Sequence, residues 1–181
     1  YNEDTIKCFS HIHCWEMSGI PVLPTTGIFK GHLGPDTYGS SYTHADEVAK
    51  AGYHKVVLKD YAITAELTST NRVGFHRYTF PEGNQSRIVF SIGNVQGESG
   101  PVRDAMVRMV DDTHFEGYVL TYPKYVKIYD EGGTVAMYFY GELSKKPAHV
   151  GAYNQDQTNL KANEANGIGA GLLLNYQTQE Q

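Results

Sequence analysis

A chain of 181 residues, 40% apolar and 19% charged, holds enough material for one domain with a real core, with two small ones as the alternative, and is too long to be a stapled miniprotein. Aromatics at 12% of residues and a formal charge of -5 exclude a disordered chain, which has little to bury and more self-repulsion. Fifteen Lys and Arg are scattered against twenty acids with no basic run among the aromatics, so nucleic acid is excluded as a natural partner and a sugar, peptide or small neutral ligand fits better.

Tyr1-Asn2-Glu3-Asp4 lacks a basic start and an apolar stretch, so any signal peptide was removed or never belonged to this piece. Residues Thr25 to Tyr42 hold four Gly plus Pro35 and almost no periodicity, and a loop of that length in a compact domain is often functional. Tyr53 to Val73 is filled with Val, Ile, Thr and Tyr, which suit a pleated surface. It reads as two strands, Tyr53 to Leu58 and Ile63 to Thr68, joined by the hairpin-length Lys59-Asp60-Tyr61-Ala62. Val73 to Phe80 follows, with apolar groups on both faces, and reads as a central strand stopped by Pro81 and the turn-like Glu82-Gly83-Asn84. Further strands are predicted at Arg87 to Ile92, Ala105 to Val110, Gly117 to Thr121, Val126 to Tyr129, Val135 to Leu143 and Ile168 to Tyr176. Ala152 to Asn166, rich in Asn and Gln, reads as a long polar loop or one short helix. The longest apolar stretch, Ile168 to Leu174, is cut by glycines and far short of the roughly 18 residues that cross a bilayer. Short strands with turn chemistry between them predict an all-β, antiparallel sandwich occupying residues 1 to 181 as a single domain.

The densest polar constellation is Cys8-Phe9-Ser10-His11-Ile12-His13-Cys14-Trp15. On an extended backbone His11 and His13 share one face and Cys8 and Cys14 the other. Imidazole and thiolate are zinc ligands, so a metal site on Cys8, His11, His13 and Cys14 is one reading, although the alternation separates the two ligand types unless the segment bends. In a second, the histidines and Trp15 line a polar pocket, the indole offering a flat apolar face to a sugar ring and the imidazoles bonding its hydroxyls. In a third they are satisfied residues supporting a strand end. The two thiols would lie too far apart for a disulfide on an extended segment, so buried thiols that do not bridge are the default expectation.

No hydrolytic centre is complete. Ser10 and His11 are adjacent and point apart, and no Gly-x-Ser-x-Gly elbow occurs. Asp46-Glu47, Asp111-Asp112 and Asp130-Glu131 read as solvated turns, because adjacency does not create the facing carboxylates of a glycosidase. Gly27 to Gly39 lacks the Lys-Ser or Lys-Thr ending of a phosphate cradle. Arg72, His76 and Arg77 are read as hydrogen-bonded supports rather than ligand contacts.

Three blocks together carry a family resemblance: Phe9-Ser10-His11-Ile12-His13, then Pro24-Thr25-Thr26-Gly27, then the long run from Ile63 through Arg72-Val73-Gly74-Phe75-His76-Arg77 to Pro81. With Thr43-His44-Ala45-Asp46-Glu47 before Ala51-Gly52-Tyr53, and Glu116-Gly117-Tyr118, these resemble the amino-terminal β-sandwich domain of glycoside hydrolase family 92 over most of residues 5 to 145. The resemblance implies a galactose-mutarotase-like super-sandwich that packs on a C-terminal (α/α)6 domain in a calcium-dependent, inverting exo-α-mannosidase. It implies that the catalytic acid, the base and the main calcium ligands lie outside this chain, which alone is inactive. A mannose-containing glycan is the implied partner, with His11, His13, Trp15, His44 and Glu47 as its contacts here. It further implies a bacterial enzyme in the periplasm, at the cell surface or outside the cell, and a fragment lacking the domain's first strands. Cys8 replaces the family's usual Gly, and Cys14-Trp15-Glu16-Met17-Ser18-Gly19 replaces a small-residue stretch. A non-catalytic carbohydrate-binding module and a metal-binding β-domain are the alternatives.

Overall fold

Hairpins form where β-branched and aromatic runs meet turn residues, and the computed structural model of the chain, which describes residues 4–10, 19–95 and 99–178, is built mostly from such strands. In chain order the strands are β1 (Thr5–Ile6), β2 (Val22–Thr25), β3 (Ser40–Ser41), β4 (Val48–Lys50) and β5 (Tyr53–Leu58). There follow β6 (Ile63–Ser69), β7 (Gly74–Thr79), β8 (Gly83–Phe90), β9 (Val102–Met109) and β10 (His114–Thr121). The set ends with β11 (Val135–Glu142), β12 (His149–Tyr153), β13 (Thr158–Asn159), β14 (Glu164–Asn166) and β15 (Gly171–Thr178). Three larger sheets result, in the orders β4-β5-β6-β7, β13-β12-β15-β8-β2 and β11-β10-β9-β14, with a short β1-β3 pair. The pairings among the described residues are antiparallel, as the sequence predicts.

The five-stranded sheet lies at the centre. Leu172, Leu173 and Leu174 are consecutive in β15 and all buried, so both faces of that strand are covered. On one side Phe90 of β8 meets Phe115 of β10, with ring centroids 4.6 Å apart. β2 also lies against β6, which joins the first four-stranded sheet to the same apolar core. The expected β-sandwich is therefore found.

The β5-β6 hairpin forms at the predicted place. Ala62 takes a left-handed conformation (φ 53°) to reverse the chain, and the Asp60 carboxylate accepts the Ser41 amide at 2.6 Å, tying the turn to β3.

Other expectations are corrected. Among the described residues β7 (Gly74–Thr79) is an edge strand, not a central one: it pairs there with β6 alone, and Phe75 is 54% exposed. Its second apolar face is covered by no neighbouring layer among the described residues. Residues 124–129 form a short helix, α1 (Lys124–Tyr129), rather than a strand. β10 and β11 pair directly with each other, so this connection has no strand to join and satisfies its amides locally. Pro123 sets its start, and the Asp130 amide donates to the Val126 carbonyl at 2.8 Å. Residues 152–166 are neither a helix nor one loop but carry the end of β12, then β13 and β14. Their asparagines make the turns: Asn154 Oδ1 accepts the amides of Asp156 and Gln157 at 2.9 Å each. β8 begins inside the predicted turn, at Gly83. Cys8 is half-buried rather than buried.

Candidate functional site

The first four-stranded sheet builds the site, because strand alternation and register decide which groups share its inward face. Tyr53 to Leu58 pairs with Ile63 to Thr68 so that His54 faces Leu67, Val56 faces Ala65 and Leu58 faces Ile63. β6 continues the rows to β7, where Leu67 faces His76 and Ala65 faces Tyr78. His54 and His76 thus sit in one row, two strand spacings or roughly 10 Å apart, above a floor of buried aliphatic groups. Desolvation pushes the Tyr78 phenol well above its ordinary pKa, with the neighbouring Cys8 adding to the effect. Tyr78 therefore stays neutral, its oxygen 2.5 Å from Nδ1 of His76.

Phe9 and Ser10, which precede the histidine-rich segment, lie at this end of the sheet. Phe9 is fixed by reciprocal backbone bonds with Val22, 2.8 and 3.0 Å long, and its ring stacks over Tyr78 with centroids 6.3 Å apart. Ser10 follows directly. His11, His13, Cys14 and Trp15 lie outside the described residues, so the structure places the root of their segment.

His44 and Glu47 come together, and with a third residue. Oε2 of Glu47 is 2.5 Å from Nδ1 of His44, and its Oε1 is 2.8 Å from Nε2 of His54. The Glu47 side chain is only 12% exposed, unlike the solvated turn expected for Asp46-Glu47. The hydrogen bond from His44, then that from His54, holds the Glu47 carboxyl below its ordinary pKa. As an ionised acceptor it makes both rings donate, which puts a proton on Nδ1 of His44 and on Nε2 of His54. The His44 ring is half exposed and packed edge-on against Tyr42 at 5.4 Å.

His54 was missed by sequence reasoning, although a signal for it existed. The two-residue Ala51-Gly52 turn, with Gly52 at φ 75°, fixes Lys50 opposite Tyr53 and Ala49 opposite His54. With Ala49 opposite His54, Glu47 just before β4 lies two residues along on the same side and reaches His54 on the diagonal. Of the supports read from the sequence, Arg77 forks onto Glu66 through two 2.7 Å bonds on the outward face, where Tyr53 also donates to Glu66 at 2.7 Å. His76 meets Tyr78 as described, and Arg72 lies exposed in the β6-β7 turn.

Behind the site runs a buried hydroxyl chain. Tyr38 and Ser91 are 2.6 Å apart, Ser91 and Tyr153 2.9 Å, and the Tyr153 hydroxyl reaches the Phe90 carbonyl at 3.2 Å. Burial pushes the Tyr38 phenol up to about 12. The chain fastens the end of the Thr25 to Tyr42 loop to the five-stranded sheet.

Chemically, the exposed edges of the imidazoles can bond hydroxyl groups of a neutral ligand, with the shielded carboxylate and the phenol holding them in place. They do not suit calcium, which takes six to eight oxygen ligands. Both oxygens of Glu47 are engaged by nitrogen donors, and no cluster of three metal-ligating side chains occurs among the described residues.

Over residues 1–181 the chain matches the family described as Glycosyl hydrolase family 92 N-terminal domain. The structure superposes on the family GH92 α-mannosidase BT3965 from Bacteroides thetaiotaomicron, solved in complex with mannoimidazole, with a TM-score of 0.82 at 26% identity. That match covers 98% of this chain and 24% of the other. The GH92 family glycosyl hydrolase ccman5 gives a TM-score of 0.77 at 24% identity, covering 97% and 24%. The GH92 inverting mannosidase BT2199 from Bacteroides thetaiotaomicron gives 0.77 at 16% identity, covering 99% and 23%; these last two likenesses show the fold alone. The chain spans about a quarter of the length of the structures it matches. No curated protein matches the sequence.

Proposed function

The chain belongs to glycosyl hydrolase family 92 as its N-terminal domain, and on that premise we propose that it is the single β-sandwich domain of a larger exo-α-mannosidase, inactive alone. One observation carries the reading: nearly the whole chain superposes on about a quarter of an α-mannosidase. In this reading a C-terminal (α/α)6 domain supplies the acid and the base, about 6.5 to 9.5 Å apart around a water as inversion requires. Calcium is held mainly by that domain, and the enzyme is exported to the periplasm, the cell surface or the medium.

This chain's part is to bind and orient the sugar. Glu47 holds the His44 and His54 rings in fixed orientations, and the half-exposed His44 ring meets a sugar hydroxyl. His11, His13 and Trp15 are further sugar contacts in this reading, the indole suiting an apolar sugar face.

The test compares the purified 181-residue chain with its natural polypeptide on an aryl α-mannoside. No turnover by the chain is expected, and chelator-sensitive hydrolysis by a natural polypeptide several hundred residues longer. In that polypeptide His44→Ala is expected to raise KM more than it lowers kcat. Turnover by the chain alone, or a natural polypeptide ending near Gln181, would overturn the reading.

A further inference from the structure

The second four-stranded sheet turns one face to the core and the other to solvent, and its outward face is unusual. β10 and β11 pair without a slip from His114 opposite Glu142 to Thr121 opposite Val135. Burial alternates along both strands. The alternation turns His114, Glu116, Tyr118 and Leu120 outward from β10, and Tyr138 and Tyr140 from β11. Tyr138 is 76% exposed and Tyr140 65%.

These two rings are braced. Tyr140 stacks on His114 with centroids 5.6 Å apart and planes 25° apart, and Tyr138 leans on Tyr118 at 6.0 Å. Each brace is itself anchored: His114 Nδ1 lies 2.8 Å from Asp111, and the Tyr118 hydroxyl donates to Asp104 at 2.7 Å. Between the two ring pairs Glu116 is gripped by Arg108 through Nε and Nη2 at 2.9 and 2.6 Å. The tyrosines are thus set in place before any ligand arrives, which lowers the ordering cost of binding.

We propose that this outward face of β9, β10 and β11 is a second glycan-binding surface, separate from the candidate site on the other four-stranded sheet, that takes a neutral oligosaccharide across Tyr138 and Tyr140. The charges decide the occupant. A protein seated here would bury Asp104, Arg108 and Glu116 together with the rings, whereas interface centres are depleted of charge and buried pairs seldom recover their desolvation cost. A sugar covers the rings with its apolar face and offers hydroxyls to the carboxylates. The face carries more acid than base, with Glu142 and Glu164 beside it, so it repels sulfated or phosphorylated chains. The mannosidase reading supplies only the choice of α-mannan as first probe.

Affinity electrophoresis of the 181-residue chain in gels holding soluble α-mannan, a neutral β-glucan or sulfated dextran tests the proposal. Retardation by α-mannan is expected, at least fivefold weaker in Tyr138→Ala and in Tyr140→Ala at unchanged circular dichroism, with none by sulfated dextran. Retardation by β-glucan alone would uphold the surface while counting against mannose as its sugar. No retardation by either neutral glycan would overturn it, as would undiminished retardation of the double variant. Concentration-dependent dimerisation abolished by Tyr138→Ala, without glycan binding, would assign the face to a second copy instead. In the natural polypeptide Tyr138→Ala should leave hydrolysis of an aryl α-mannoside unchanged and lower kcat/KM on polymeric α-mannan. Loss of both activities equally would sink the separation of the two sites, and absence of any activity in the unsubstituted polypeptide would sink the mannosidase reading without touching the binding result.

Discussion

β15 and β7 both carry apolar side chains on both faces, yet one lies at the centre of its sheet and the other at an edge. In β15 three successive leucines are at most 2% exposed, whereas in β7 Phe75 is 54% exposed and its neighbour Arg77 points outward to Glu66. The difference teaches that two apolar faces do not make a strand central. Aliphatic side chains have no polar group with which to tolerate water, so a run of them must be covered on both sides. Aromatic residues mixed with His and Arg can line a pocket on one face and wear an ion pair on the other, which also discourages strand-to-strand association at the edge.

The comparison is sharpest under truncation. Leu173→Ala is expected to cost about 2–5 kcal/mol, since it opens a cavity in a fully covered strand. Phe75→Ser should change stability by less than about 0.5 kcal/mol, as exposed substitutions do. Urea unfolding of the two variants measures both. Equal losses would show that the outer face of β7 is covered in solution and would return it to the central role read from the sequence.

A smaller contrast lies in two phenols, Tyr153 of β12 paired beside β15 and Tyr78 of β7 itself. Tyr153→Phe removes a hydroxyl from the buried chain through Ser91 and leaves its partners less satisfied, for an expected loss of about 1–3 kcal/mol. Tyr78→Phe removes the bond to His76 at the candidate site, and about 1 kcal/mol is expected there. Thermal unfolding that ranked Tyr78→Phe above Tyr153→Phe would make the candidate site, not the hydroxyl chain, the more tightly held of the two.

The same contrast explains what was legible in the sequence. The β5-β6 hairpin was readable because β-branched runs flank a short polar connection, and β11 and β15 because their apolar runs are long. α1 was not: Val126 and Ile128 favour strands, and only the direct pairing of β10 with β11 leaves residues 124–129 to fold locally. β14 escaped because its Glu, Ala and Asn have no strand preference and are held by pairing with β9. For the candidate site, His44 and Glu47 were named from resemblance to a family pattern. Their link to His54 depended on the register fixed by Gly52, and the tyrosine platform on register between strands that no motif marks.

The edge role of β7 also makes a prediction about acid. Arg77 first, then Tyr53, holds the Glu66 carboxyl down to about 2 in the folded chain, against about 4.3 for an unperturbed Glu in the unfolded one. Between those values the unfolded state binds more protons, so stability rises with pH across that window. The contribution is complete above the unfolded value and is lost as pH falls toward 2. Because Arg77 is largely exposed, water and salt screen the pair, and the slope should shrink in 1 M NaCl. Unfolding midpoints measured from pH 2 to 6 should therefore show a shallower acid decline in Glu66→Gln than in the unsubstituted chain. Leu173→Ala should displace the whole curve without altering its slope, since β15 owes its place to burial and not to charge. An unchanged slope in Glu66→Gln would mean that the ion pair leaves β7 no more firmly attached than hydrogen bonding to β6 alone, and that its exposed face is protected by something other than charge.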